Sequence, residues 1–175
     1  MLKKIAIGII AVVVIILGLA LTQPNSYTVT RSATIKAPPE KIYGLISDFH
    51  NWTLWSPWEH LDPNMKRTHS GAPAGVGAVY GWEGNDQVGA GRMEITGAAA
   101  PSKVDIKLDF LKPFESHNTT VFALAPEGDG TRVTWTMSGP SAFMTKLMGV
   151  FMSMDSMIGP DFEKGLASMK AVAEK

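Results

Sequence analysis

The sequence predicts an α+β domain in which a curved antiparallel sheet of about seven strands wraps a long C-terminal helix, with a transmembrane helix at the N-terminus. Three observations predict it. From Ser141 to Lys175, Phe143, Leu147, Val150, Phe151, Met154, Ile158, Phe162, Leu166, Met169 and Val172 recur with a period near 3.6, so one helical face is buried. From Tyr27 to Met137, apolar and polar residues alternate between Gly-, Pro- and Asp-containing turns, which is the pattern of half-buried strands. From Ile5 to Leu21 there is no charged residue. The chain therefore divides into an anchor and linker over residues 1–24 and a folded domain over residues 25–175.

The apolar run IAIGIIAVVVIILGLAL covers about 25 Å as a helix, and Leu2 and Thr22 extend it toward the roughly 30 Å of a bilayer core. Lys3 and Lys4 precede it and no cation follows until Arg31, so the N-terminus is expected in the cytoplasm and the domain on the extracytoplasmic side of a single-pass protein. The rival reading is a cleaved signal peptide. That needs small residues before the cut, and Ala20 with Thr22 is a poor match. Pro24 ends the helix.

Tyr27–Lys36 alternates Val29, Ala33 and Ile35 with threonines and reads as the first strand; Arg31 breaks its apolar face, as a residue near an edge does. Pro38, Pro39 and Glu40 open a short helix whose buried face is Ile42, Leu45, Ile46 and Phe49. Trp52, Trp55 and Trp58 follow at spacings of three, until Pro57 interferes. Trp52 is expected to pack the loop on the sheet, whereas Trp55 and Trp58 are as well placed to line a cavity mouth as to pack. Lys66–Ser70 and Val76–Glu83 are strands, the second with Ala78, Tyr80 and Trp82 on one face. Val88–Gly97 returns after a Gly84-Asn85-Asp86 turn, with Met93 and Ile95 inward. Ser102–Leu111 sets Val104, Ile106, Leu108 and Phe110 against Lys103, Asp105, Lys107 and Asp109, which face water. The next two strands turn Thr120, Phe122 and Leu124, then Val133, Trp135 and Met137, inward. In the terminal region Gly159-Pro160 is the expected point of division or kinking, and Gly149 and Gly165 are positions where the helix can approach the sheet closely.

The order of strand, short helices, about six strands and a long helix resembles the helix-grip fold of the START-like or SRPBCC superfamily. The segment ATIKAPPEKIYGLISDFHNWTLWSPW resembles the opening of its polyketide cyclase/dehydrase-like branch, and GVGAVYGWEGN, VGAGRMEI, GDGTRVTWTM and DFEKGLASMK resemble its later segments. The resemblance covers roughly Tyr27–Lys175. It implies a cavity between sheet and helix. It transfers no catalytic residue, because the superfamily spans cyclases, carriers of hydrophobic ligands, chaperone activators and members without known activity.

Composition excludes several other chemistries. Basic and acidic residues number 16 each, and setting aside Lys3 and Lys4 leaves the domain two charges to the acidic side with no basic block, so no nucleic-acid partner is expected. Without cysteine there is no thiolate nucleophile or disulfide. His50, His60, His69 and His117 form no metal-type pair, the glycines of GVGAVYGWEGN lack a following helix, and no metal or cofactor is expected. Cyclase-type chemistry needs an acid or base in an apolar pocket. Glu83 and Glu94 alternate outward, Glu59 with His60 is placed near the mouth, and Tyr80 is a core hydrogen-bonding group, so no catalytic residue is assigned. Binding an apolar molecule asks less. Trp55, Trp58, Tyr80, Trp82, Met93, Phe110, Phe122, Trp135 and Met137 are the expected ligand-binding residues for a hydrophobic small molecule or lipid. The alternatives are a cyclase or dehydratase using the same pocket, and an interaction module in which these side chains fill a solid core.

Overall fold

The computed structural model describes all 175 residues, Met1–Lys175. Helix α1 (Leu2–Thr22) leads into β1 (Ser26–Ile35), then α2 (Pro39–Ser47) and a 3₁₀ turn (Phe49–Leu54). Strands β2 (Lys66–Gly71), β3 (Ala78–Glu83), β4 (Ala90–Ala99), β5 (Lys103–Lys112), β6 (Ser116–Glu127) and β7 (Gly130–Pro140) follow, and α3 (Phe143–Gly149) and α4 (Met154–Ala173) end the chain. The sheet has the order β1-β7-β6-β5-β4-β3-β2, antiparallel throughout. The chain thus crosses once, through α2 and the 3₁₀ turn, from one edge of the sheet to the other, and then meanders back until β7 pairs with β1.

Alternation decides which face is buried. Val29, Ile35, Tyr80, Met93, Ile95, Val104, Ile106, Leu108, Phe122, Val133, Trp135 and Met137 join Phe162, Leu166 and Met169 of α4 in one core. Gly165 lets α4 pack closely on the sheet: a Cβ there would stand 2.8 Å from the Trp135 ring and 3.2 Å from Pro57. Gly149 instead lies beside Gln23, at the end of α1.

Helix α2 is short, and its C-terminal carbonyls need partners that a longer helix would supply internally. Asn51 Nδ2 donates to Gly44 O at 3.0 Å, Trp55 Nε1 to Leu45 O at 2.9 Å, Trp52 Nε1 to Ile46 O at 2.9 Å, and the Gly75 amide to Ser47 O at 2.8 Å. Two of the three clustered indoles therefore serve as caps, and their rings are carried into the core by that duty.

The terminal region differs from the expectation of one long helix. It is two helices, and the break falls at Val150–Ser153 rather than at Gly159-Pro160. The first ends at Gly149 with Val150 as its C-cap, and Ser153 starts the second, because its hydroxyl accepts from the Ser156 amide at 3.1 Å while Asp155 sits in the first turn. Pro160 stays within α4, exposed on its outer side. Arg31, on edge strand β1, clasps this half of α4: its guanidinium donates to Asp155 through Nη1 at 2.7 Å and Nη2 at 3.0 Å, and to Glu163 through Nε at 2.7 Å. The guanidinium rests against Gly159, where a side chain would push it aside. Asp109, expected in water, is buried on the outer face under Lys107 and His117, at 3.0 and 2.7 Å.

Candidate ligand-binding site

Between the concave face of the sheet and α4 the core leaves a cavity of about 210 Å³. Ladder register builds its floor. Tyr80 lies opposite Met93 and Met93 opposite Leu108, while Thr120 lies opposite Met137, all at inward positions. Trp58, Ile158 and Phe162 form the wall on the helix side, and Trp82, Val88 and Phe110 the rim. The rim is fixed by Asp62, which is buried and accepts from the Asn85 amide at 2.7 Å, and by Trp82, whose Nε1 donates to Val88 O at 3.0 Å.

Trp58, Tyr80, Trp82, Met93, Phe110, Trp135 and Met137 all line this cavity. Trp55 and Phe122 lie behind this lining. Trp55 is turned away by its bond to Leu45, and Phe122 is walled in by Trp52, Trp55 and Trp135, with ring centroids 6.1, 5.9 and 4.9 Å away. Trp52, expected only to pack, both caps α2 and lines the cavity. Thr120, Leu108, Ile158 and Phe162 were not among the expected lining residues, although each was visible at an inward position of its strand or helix.

One carboxylate faces the cavity. Glu59 is buried, with Oε1 accepting from the Tyr80 hydroxyl at 2.6 Å and Oε2 from Arg67 Nε at 2.7 Å; Arg67 Nη2 also donates to the Glu59 carbonyl at 2.6 Å. Burial, and then the bond to Glu59, push the Tyr80 hydroxyl far above the ordinary phenol range, so it stays protonated as a donor. The Glu59 bond raises Arg67 as well. Both carboxylate oxygens are thereby engaged, one by Tyr80 and one by Arg67. His60 is separated from Glu59: it is exposed and donates through Nε2 to Thr53 O at 3.1 Å. His69 stacks on His50 at 4.1 Å, and burial, then the neighbouring His50, lower its pKa.

Two side chains that line the cavity each carry a buried polar atom without a partner. Trp135 Nε1 and Thr120 Oγ1 are buried without a hydrogen-bond partner, in side chains 2% and 3% exposed. Leaving such groups unsatisfied costs about 1–3 kcal/mol each. The arrangement is a mostly apolar chamber whose lining also includes Ser56, Glu59, Gln87 and Thr120.

Several solved structures share the fold. A Chromobacterium violaceum protein superposes with a TM-score of 0.61 at 16% identity, over 87% of this chain and 99% of that one. The di-domain ARO/CYC protein BexL of the BE-7585A biosynthetic pathway gives 0.62 at 15% identity, over 90% of this chain and 53% of that one. Major latex-like protein 151 of Panax ginseng gives 0.62 at 13% identity, over 87% and 100%. No curated protein sequence matches the chain. The family model for polyketide cyclase/dehydrase and lipid transport matches residues 26–174, nearly everything after α1, and the chain belongs to that family.

Proposed function

We propose that this protein is a membrane-anchored binding domain for a small apolar molecule that carries a hydrogen-bond acceptor. Family and fold support a hydrophobic-ligand-binding domain. The observation that carries the finer reading is the pair of unpartnered polar atoms, Trp135 Nε1 and Thr120 Oγ1, on side chains of a mostly apolar lining. Size narrows the class further. A dry cavity of about 150 Å³ takes benzene, and pockets for drug-sized ligands run from roughly 300 Å³ upward. The cavity of about 210 Å³ lies between them, so the occupant is a molecule of one or two rings, or an apolar group of that bulk on a longer chain.

The anchor reading is supported by α1. It has 21 residues, about 30 Å as a helix, and apart from Ala20 none of its side chains is buried by the domain. Its position after Lys3 and Lys4 supports a cytoplasmic N-terminus and an extracytoplasmic domain.

A second reading, acid–base chemistry on the bound molecule, is favoured by the presence of Glu59 in the cavity wall. The engagement of both its oxygens by Tyr80 and Arg67 favours binding over turnover. Native mass spectrometry of the full chain tests the binding reading. An apolar adduct that co-purifies with the wild type and is lost in Trp135→Ala supports it. Absence of any adduct across independent preparations counts against it.

A further inference from the structure

The two ends of the sheet differ in what they expose. β1 begins at Ser26, four residues after α1 ends, and pairs there with Pro140 at the end of β7. In an antiparallel meander the β5–β6 turn lies at this same end, and α3 leaves from it. This end exposes Leu111 at the end of β5, Phe114 in the β5–β6 turn, Phe143 in α3, and Phe151 and Met152 in the link to α4, each about half exposed or more, with Phe151 at 73%. The turns at the opposite end, 72–77, 100–102 and 128–129, expose only Val76 among large apolar side chains. A concentration of exposed aromatic and aliphatic groups at one end marks an interaction surface.

The position of α1 says what covers it. Helix α3 packs at the end of α1: Ala20 is buried, Gly149 lies beside Gln23, Lys146 Nζ donates to Asn25 Oδ1, and the Ser141 amide donates to Asn25 O at 2.8 Å. A helix crossing a bilayer would bring these exposed groups to the headgroup–acyl boundary, where aromatic and apolar side chains on short segments are stabilised. We propose that the anchor-side end of the domain, through Phe143, Phe151, Met152, Leu111 and Phe114, is seated in the outer part of the bilayer. The inference rests on the membrane-spanning reading of α1. The cavity lies toward the same end, with Met137 three residues from the end of β7 and Phe110 beside the β5–β6 turn. A ligand would then exchange with the lipid phase rather than with water.

The chain has no cysteine, so single labels can be placed in the full-length protein. Val13→Cys, Phe114→Cys, Phe151→Cys and Asp129→Cys, each carrying a nitrobenzoxadiazole fluorophore, are reconstituted in phosphatidylcholine vesicles containing lipids spin-labelled at acyl carbon 5 or 12. The proposal predicts at least twofold stronger quenching at positions 114 and 151 than at 129, greatest with the carbon-5 label, and quenching at 13 greatest with carbon 12. Quenching at 13, with 114 and 151 behaving as 129, would overturn the seating while leaving the anchor intact. So would blue-shifted emission at 151 without lipid quenching, which would indicate a protein partner. No quenching at 13 would overturn the anchor reading and the seating with it.

Discussion

The ring of Trp135 lies flat against that of Phe162, with centroids 4.0 Å apart and planes 7° from parallel. This contact joins β7 to α4 directly beneath the point where Gly165 lets the helix approach, and both residues line the cavity. The same pair therefore closes the core and shapes the binding site. Phe162→Ala is expected to cost about 3–5 kcal/mol of stability, the range for deleting a buried aromatic ring. Urea denaturation would show it, and a loss below about 1 kcal/mol would mean that α4 is held chiefly elsewhere.

Trp135 and Trp55 touch edge to face at 5.5 Å, yet conservative changes at the two should separate. Trp135→Phe removes a donor without a protein partner, so its stability cost is that of the lost ring volume alone, while affinity for an acceptor-bearing ligand such as 2-naphthol should fall about tenfold. Trp55→Phe leaves the Leu45 carbonyl unpaired and should cost about 1–3 kcal/mol of stability with affinity nearly kept. Calorimetric titration and thermal unfolding of both variants provide the comparison. Equal effects of the two changes on affinity would contradict the assignment of lining and backing layers.

Tyr80→Phe removes one of the two bonds to the Glu59 carboxylate while Arg67 keeps the other. A loss of about 1.5–3 kcal/mol is expected, the worth of a hydrogen bond to a charged group. If the variant is unchanged in denaturant midpoint, Glu59 and Tyr80 are not coupled.

The clasp between Arg31 and α4 carries a pH dependence. The hydrogen bond from Arg31 holds the Asp155 carboxyl below its ordinary value of 3.8. A carboxylate whose pKa is lower in the folded protein than in the unfolded chain stabilises above the unfolded value, and the contribution fades as pH falls through the folded one. Stability should therefore decline below about pH 4, and Asp155→Asn should flatten that decline while lowering the midpoint at pH 7. Urea midpoints measured between pH 2 and 7 test this, and an unchanged slope in the variant would place the acid sensitivity in other carboxylates.

Much of the fold was legible because strand alternation is local. Met93 with Ile95, Val104 with Ile106, and Trp135 with Met137 face inward as their spacing requires. The division of the terminal region was legible in principle, since Ser153 with Asp155 is a helix-start pattern, but the apolar period runs through it without interruption and hides the break. What local pattern could not supply was partnership at a distance. Trp55 reads as a free aromatic until α2 is seen to end in carbonyls within its reach. Glu59 reads as a rim residue until Tyr80, 21 positions away, and Arg67, eight away, close on it from β3 and β2.

The central claim is that a small apolar molecule occupies the space between sheet and α4. Methionine methyl NMR of the full chain, titrated with 2-naphthol, reports on it directly, because Met93 and Met137 line the cavity while Met169 is buried outside it. The account predicts saturable shifts of Met93 and Met137 with Met169 unmoved. Shifts confined to the exposed methionines Met144, Met148 and Met152, or none at all, would contradict it.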